Sequence, residues 1–173
     1  MKTLPILVHA LNLYKSGQIK NALVLAPKAA RGAWDRDIEK FFSPFDRALF
    51  QRFLTVTTYD LIWRRKELDI VWDFICLDES HFIKSRTSNR YAGKMVSKVN
   101  PQTGKKRRIH ETHGIKDISR SAKYRYILTG TPIGNSHYEE IWAQFDFLDP
   151  DILGKYADFE KRYCILNQFF KPF

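Results

Sequence analysis

The chain has 173 residues, 44% of them hydrophobic and 28% charged, which is enough for one domain with a core and excludes an intrinsically disordered protein. Lys and Arg outnumber Asp and Glu by 29 to 19, and the resulting net charge of +10 favours a polyanionic partner, most plausibly nucleic acid, over an indifferent basic surface. Two cysteines and no apolar run of about 20 residues exclude a disulfide framework and a membrane span. We expect a reduced, cytoplasmic protein with no membrane partner, not a secreted one.

Helices and strands are predicted to alternate along the chain. Apolar residues recur at helical spacing from Leu4 to Tyr14, and Pro5 requires this first helix to begin near Lys2 or Thr3. Short apolar runs predict strands at residues 22–26, 53–57, 74–77 and 124–128, and periodicity predicts further helices at residues 30–42, 59–68, 137–148 and 155–164. This order predicts an α/β fold, a mostly parallel sheet with helices on both faces, in a single lobe that spans residues 1–173.

A polar, turn-rich segment interrupts this alternation at residues 99–116. It predicts a basic loop or hairpin inserted between a helix and the fourth strand. Its cations Lys105, Lys106, Arg107 and Arg108 form either a phosphate-contacting patch or a solvated surface. His110 and His113 do not have the spacing of a helical metal motif, so we do not expect a metal site there.

The third predicted strand ends in two adjacent carboxylates, Asp78 and Glu79, followed by Ser80 and His81. Adjacent carboxylates repel each other unless a cation or a proton-transfer task holds them together, so the pair predicts a metal or acid/base site. The other reading is a pair of helix-capping residues. Polar residues also follow the other three strands, and ligands bind beyond the carboxyl ends of the strands in such sheets. The sequence therefore predicts a site at this edge of the sheet.

The order and spacing of these segments resemble those of a known family. "DESH" at residues 78–81 resembles the Walker B box of superfamily-two helicases, and "LTGTPIGN" at residues 128–135 resembles their third motif. "LVLAPKAARGAWDRDIEKF", "TVTTYDLI", "FIKS" and "FEKRYCI" are similar to segments of the Swi/Snf-type DNA translocases. The resemblance covers essentially the whole chain and implies the first of two RecA-like, P-loop NTPase-type lobes of an ATP-driven motor on double-stranded DNA.

The resemblance also implies roles around a bound Mg-ATP. Asp78 would bind the magnesium ion, mainly through water, and Glu79 would orient the attacking water. His81 would couple the nucleotide site to Thr129 and Thr131, unless it is a polar residue without a functional role.

The match is incomplete at the amino terminus. Lys2 and Thr3 stand where the family has the end of its Walker A motif, so Lys2 would meet the β- and γ-phosphates and Thr3 the magnesium ion. Met1 replaces the last glycine of the phosphate-binding turn. We therefore expect a Walker A motif truncated at the start of the chain.

Contacts with DNA are implied by residues after the first two full strands. Thr57, Thr58 and Tyr59 resemble a backbone-tracking motif, and Lys28 and Arg31 occupy the matching position after the preceding strand. Lys84 is a contact behind the nucleotide site, a DNA contact or a solvated lysine. Trp34 is either a DNA contact or a core residue.

Two functions follow from these observations. The first is a lobe of an ATP-dependent DNA translocase that needs a second RecA-like lobe for catalysis, acts on double-stranded DNA and resides in the cytoplasm, nucleoid or nucleus. The second is a DNA- or partner-binding module that has lost ATP turnover.

Overall fold

The protein is described by a computed structural model, which defines residues 2–133 and 138–164. The helices within these residues are α1 Thr3–Lys15, α2 Lys28–Phe41, α3 Pro44–Phe53, α4 Tyr59–Ile62, α5 Asn89–Ala92, α6 Ile115–Ser119, α7 Glu140–Leu148, α8 Pro150–Leu153 and α9 Tyr156–Tyr163. The strands are β1 Ala22–Ala26, β2 Leu54–Thr58, β3 Phe74–Asp78, β4 Met95–Val99, β5 Lys106–His110 and β6 Tyr124–Leu128. Short 3-10 turns at Lys66–Leu68 and Ser80–Ile83 complete the secondary structure.

Four strands form one parallel sheet in the order β2-β1-β3-β6. Strand β1 pairs with β2 and with β3, and β3 pairs with β6, so β1 and β3 occupy the centre. All five residues of β1 are buried, as expected for a central strand covered on both faces. The predicted α/β fold with a mostly parallel sheet is confirmed.

Two hydrophobic clusters cover the two faces of the sheet. One contains Val24 and Cys76 with buried residues of α1, α2 and α3. The other contains Leu25 and Leu77 with buried residues of α4, α5, α6, α7 and α9. Successive residues of a strand point to opposite faces, so each central strand contributes alternately to both clusters. The prediction of helices on both faces is confirmed.

Two helix predictions were wrong. Residues 44–53 form α3, where we predicted no helix: Ser43 caps it by accepting the Asp46 amide, and Pro44 starts its first turn. The helix predicted at 59–68 is only α4 with a separate 3-10 turn, because Arg65 between them is extended, with φ −111° and ψ 108°.

The basic segment is a β-hairpin that begins earlier than predicted. Strands β4 and β5 pair antiparallel, with Met95 opposite His110 and Val99 opposite Lys106. The hairpin forms its own two-stranded sheet and is followed by the short helix α6, which periodicity did not reveal.

No helix within the described part of the chain is long and apolar enough to cross a membrane.

Candidate functional site

The parallel sheet brings four polar strand ends to one edge. Ala26 of β1 is opposite Thr58 of β2, and Asp78 of β3 is opposite Leu128 of β6. Because all four strands run in the same direction, Pro27, Glu79 and Thr129 follow at this same edge. We call this edge, from Pro27 to Thr131, the carboxyl rim. The arrangement agrees with the predicted location of the site.

Asp78 is held at the rim by two aromatic residues from different elements. Its carboxylate Oδ2 accepts a hydrogen bond from Trp34 Nε1 at 3.0 Å, and its backbone carbonyl accepts one from the Tyr59 hydroxyl at 2.8 Å. Trp34 is completely buried, so it is a core residue as well as a partner of Asp78. Burial, followed by the charges of Cys76 and Asp78, raises the pKa of Tyr59, and its hydroxyl therefore remains a donor. The orientation of Asp78 is fixed before any ligand binds.

Glu79 has a left-handed backbone conformation with φ 52°, which no other non-glycine residue adopts in the described part of the chain. Such a conformation costs on the order of 1–3 kcal/mol and is often found at functional sites. It ends β3 abruptly and presents the Glu79 side chain, about one-third exposed, at the rim. Strain at this position favours a functional role for Glu79 over helix capping.

Glu79 lies between two positively chargeable groups. Lys2 Nζ is 3.6 Å from its Oε1, and His81 Nδ1 is 3.4 Å from its Oε2. The His81 nitrogen is buried and forms no hydrogen bond, so the 3.4 Å approach is an electrostatic contact only. In the described residues, His81 forms no hydrogen bond with Thr129 or Thr131, although the sequence suggested coupling between them.

The third-motif turn approaches Lys2 through a glycine. A Cβ atom placed on Gly130 would lie 3.6 Å from Lys2 Nζ. Thr129 Oγ1 accepts a hydrogen bond from the Thr131 amide at 3.1 Å, which shapes the turn. Lys2, Glu79 and Gly130 are thus neighbours in space although they are far apart in sequence.

Thr3 has a different partner from the one that the sequence suggested. Its hydroxyl donates to Asp37 Oδ2 at 2.6 Å, which links α1 to α2. A role for Thr3 at a magnesium ion is compatible with this hydrogen bond, because the hydroxyl donates its hydrogen to Asp37 and keeps its oxygen lone pairs for a cation.

The residues present fit a magnesium ion held mainly by a nucleotide and water. The described part of the chain contains no group of three or more His, Cys, Asp or Glu residues that would hold a metal by themselves. Magnesium typically takes one or two protein carboxylates and completes its shell with phosphate oxygens and water. Asp78 supplies such a carboxylate at the rim.

The predicted DNA contacts divide into exposed and buried side chains. Lys28 and Arg31 are exposed at the start of α2. Thr57 and Tyr59 are buried, and the Tyr59 hydroxyl is engaged with Asp78, so their side chains do not offer a surface to DNA. Thr58 is half-buried, which leaves it and the local backbone for contact at this position.

The remaining predicted cations also differ in their surroundings. Lys84 is exposed but pairs with Glu140 at 2.6 Å, so the 3-10 turn after Glu79 is tied to α7. The four hairpin cations, Lys105, Lys106, Arg107 and Arg108, are all exposed.

Sequence reasoning missed Gln144 of α7, which is completely buried beside the carboxyl rim. Its side chain bonds to Ser80 and to the carbonyl of Pro132. The only sequence signal was an uncharged polar residue within a largely apolar helix.

Comparison with known proteins gives one family-model match, to the SNF2-related domain, over residues 103–168. A protein of Bacillus subtilis named as an ATP-dependent helicase/translocase, YwqA, is 27% identical over 183 residues, covering 95% of this chain and 17% of the relative. Human TATA-binding protein-associated factor 172 is 30% identical over 163 residues, covering 82% of this chain and 7% of the relative. The chain thus spans less than a fifth of each of these relatives.

A solved structure has the same fold. The SWI2/SNF2 ATPase core of Sulfolobus solfataricus, in complex with double-stranded DNA, superposes with a TM-score of 0.70 at 25% identity, covering 94% of this chain and 32% of that one.

Proposed function

We propose that the chain, which is Swi/Snf-type, of helicase superfamily two, and has a RecA-like fold, forms the N-terminal lobe of an ATP-dependent DNA translocase. The lobe spans residues 1–173, binds Mg-ATP at the carboxyl rim and couples its hydrolysis to movement on double-stranded DNA. It acts together with a second RecA-like lobe and is located with DNA, in the nucleus or nucleoid.

The observation that carries this proposal is the approach of Lys2 Nζ to within 3.6 Å of Glu79 Oε1 beside Gly130. Three separate segments meet at the edge where parallel sheets bind ligands. They contribute the Lys2 ammonium group, the carboxylate of Glu79, whose backbone is strained, and the turn at Gly130. A structural ion pair at the surface contributes little to stability, so packing alone does not account for this cluster.

Each residue has a distinct task in the proposed reaction. Bound Mg-ATP would supply the transferred γ-phosphoryl group and the cation that neutralises its charge. Lys2 leaves Glu79 to pair with the phosphate oxygens, which frees the Glu79 carboxylate to orient the attacking water. Asp78, held by Trp34 and Tyr59, offers a fixed oxygen ligand for magnesium.

DNA binding is supported by the charge of +10 and by the DNA-bound structural neighbour. Lys28, Arg31 and the four hairpin cations are exposed and available for phosphate contacts, which position a protein on DNA without reading its sequence.

A non-catalytic DNA- or partner-binding module is the second candidate. It is favoured by the hydrogen bonds of Thr3 to Asp37 and of Asp78 to Trp34, because both groups then have structural partners without a nucleotide.

Hydrolysis in a two-lobe protein distinguishes the two candidates. We expect these 173 residues alone to hydrolyse ATP negligibly, because the family resemblance implies that the second lobe supplies an arginine finger. The loss of such a residue typically costs on the order of 10³ or more in rate. The two-lobe protein adds a glycine-rich phosphate-binding segment before Lys2, with Gly in place of Met1. It also adds the second RecA-like lobe of a Swi/Snf-type relative after the chain. This protein should show DNA-stimulated hydrolysis.

Three variants of that two-lobe protein assign the roles. Lys2→Ala should abolish ATP binding and turnover, whereas Glu79→Gln should abolish turnover and retain binding. Lys40→Ala, at an exposed lysine of α2, is the matched control and should change neither. A folded two-lobe protein that binds DNA but not ATP would contradict the motor and support the binding module. Turnover by the 173 residues alone that Glu79→Gln abolishes would contradict the need for a second lobe.

A further inference from the structure

Gln144 bridges Ser80 and Pro132, which follow the paired ends of β3 and β6 and form no hydrogen bond with each other in the described part of the chain. The Ser80 hydroxyl donates to Gln144 Oε1 at 2.6 Å, and Gln144 Nε2 donates to the carbonyl of Pro132 at 2.6 Å. Ser80 follows the acidic pair, whereas Pro132 closes the third-motif turn. One side chain of α7 therefore bridges the acidic segment and the turn beside Lys2.

The three partners of Gln144 fix its amide in one orientation. The oxygen faces a hydroxyl donor, and the nitrogen faces two carbonyl acceptors, Pro132 at 2.6 Å and Glu140 at 3.4 Å. An amide flip would direct the oxygen at two carbonyl oxygens and the nitrogen away from its acceptors. Because Ser80 and Gln144 are both completely buried, water cannot replace a lost partner without a rearrangement.

We propose that Gln144 is a positioning residue that transmits changes at the acidic segment to the third-motif turn. A displacement of Glu79 moves Ser80, the adjacent residue, and Gln144 passes this movement to the Pro132 carbonyl. The ion pair between Lys84 and Glu140 is a second contact between the segment after the acidic pair and the start of α7. This role rests on the proposed function.

The link itself is testable in the 173-residue chain without nucleotide. Amide hydrogen exchange of residues 129–131 should accelerate about tenfold in Gln144→Met, because the Pro132 carbonyl loses the buried donor that holds the end of the turn. Ser80→Ala should accelerate the same amides although Ser80 does not contact the turn. In the Gln144→Met background, Ser80→Ala should have no further effect on these amides.

Ser119→Ala is the matched control. Ser119 is also buried, but its hydroxyl bonds only within its own helix, to the carbonyl of Lys116. It should leave the amide exchange of residues 129–131 unchanged. Independent, additive effects of Ser80→Ala and Gln144→Met, or an equal effect of Ser119→Ala, would overturn the proposed link.

A kinetic measurement separates positioning from general stability. In the two-lobe protein described above, Gln144→Met should lower kcat roughly tenfold and leave KM for ATP within about twofold, since the residue touches neither nucleotide nor DNA. An unchanged kcat, or a rise in KM alone, would overturn the role. If the exchange results hold but the two-lobe protein lacks ATPase activity even with Gln144 intact, the proposed function fails and the structural link stands.

Discussion

At the scale of single residues, the Cys76 thiol and the Tyr91 hydroxyl are buried groups whose pKa values are raised. Burial, followed by the charge of Asp78, raises the pKa of the Cys76 thiol above its ordinary value of 9.0. Burial and then the hydrogen bond to Asp146 raise the pKa of the Tyr91 hydroxyl. Both groups therefore remain protonated in the folded protein at pH values where they ionise in the unfolded chain. The folded state binds more protons under alkaline conditions.

Stability should consequently fall as the pH rises above about 9, by up to about 1.4 kcal/mol for each pH unit and each such group. Below the unfolded-state pKa both states hold the proton, so the contribution of Cys76 is fully present there. Urea unfolding measured from about pH 8 to about pH 10.5 tests this expectation. Cys76→Ala should have a shallower decline, whereas Cys164→Ala, at a half-buried thiol, should retain more of it. Equal slopes in Cys76→Ala and the parent would contradict the assignment.

At the scale of elements, the base of the β4–β5 hairpin depends on a contact between two glycines. A Cβ atom on Gly114 would lie 2.3 Å from both the amide nitrogen of Gly93 and the carbonyl oxygen of Tyr91. Gly114 has an ordinary φ of −105°, so close approach, and not backbone strain, requires a glycine there. The contact fixes the hairpin to α5 and α6.

Gly114→Ala should destabilise the fold by about 1–3 kcal/mol, because backbone atoms must move to admit the methyl group. Gly32→Ala, in the interior of α2, should instead stabilise it by about 0.5–1 kcal/mol, since only the end of the Arg36 side chain lies nearby. Urea midpoints of the two variants test the opposite signs. A neutral Gly114→Ala would show that the hairpin base repacks freely.

The sequence predicted the elements whose signal is local. Apolar runs predicted all four strands of the parallel sheet, and the acidic pair after β3 predicted the edge at which we propose the site. The partners of that pair were not predictable, because Trp34 is 44 residues from Asp78 and Gln144 is 64 residues from Ser80. Helical spacing indicated only a core position for Trp34. Helix α3 was missed although Ser43 and Pro44 form a helix start signal.

At the scale of the whole molecule, the hairpin concentrates exposed positive charge on an element separate from the main sheet. Replacing the four cations at positions 105–108 with neutral residues should weaken DNA binding similarly for unrelated sequences. The slope of log affinity against log salt should become shallower by roughly 0.9 for each lost phosphate contact. Fluorescence anisotropy with two DNA duplexes at several salt concentrations measures both effects.

A control with the same net charge separates contact from general attraction. It neutralises four exposed cations outside the hairpin, namely Lys20, Lys40, Arg52 and Lys123. This variant should keep a steeper salt dependence than the hairpin variant. Identical slopes in the two variants would mean that the hairpin is a solvated surface.

The alternation of β1 and β3 between two hydrophobic clusters has a consequence for how such a chain can diverge. Ile75 and Cys76 are neighbours in sequence, yet each packs in a different cluster. The sheet is therefore a partition, and a substitution on one side requires no compensating substitution on the other. Substitutions in the layer with α1, α2 and α3 should therefore have effects on stability that are independent of substitutions in the layer with α7 and α9. Asp78 of the carboxyl rim is an exception, because it bonds to Trp34 of one layer and to Tyr59 of the other, so a change in either layer affects it.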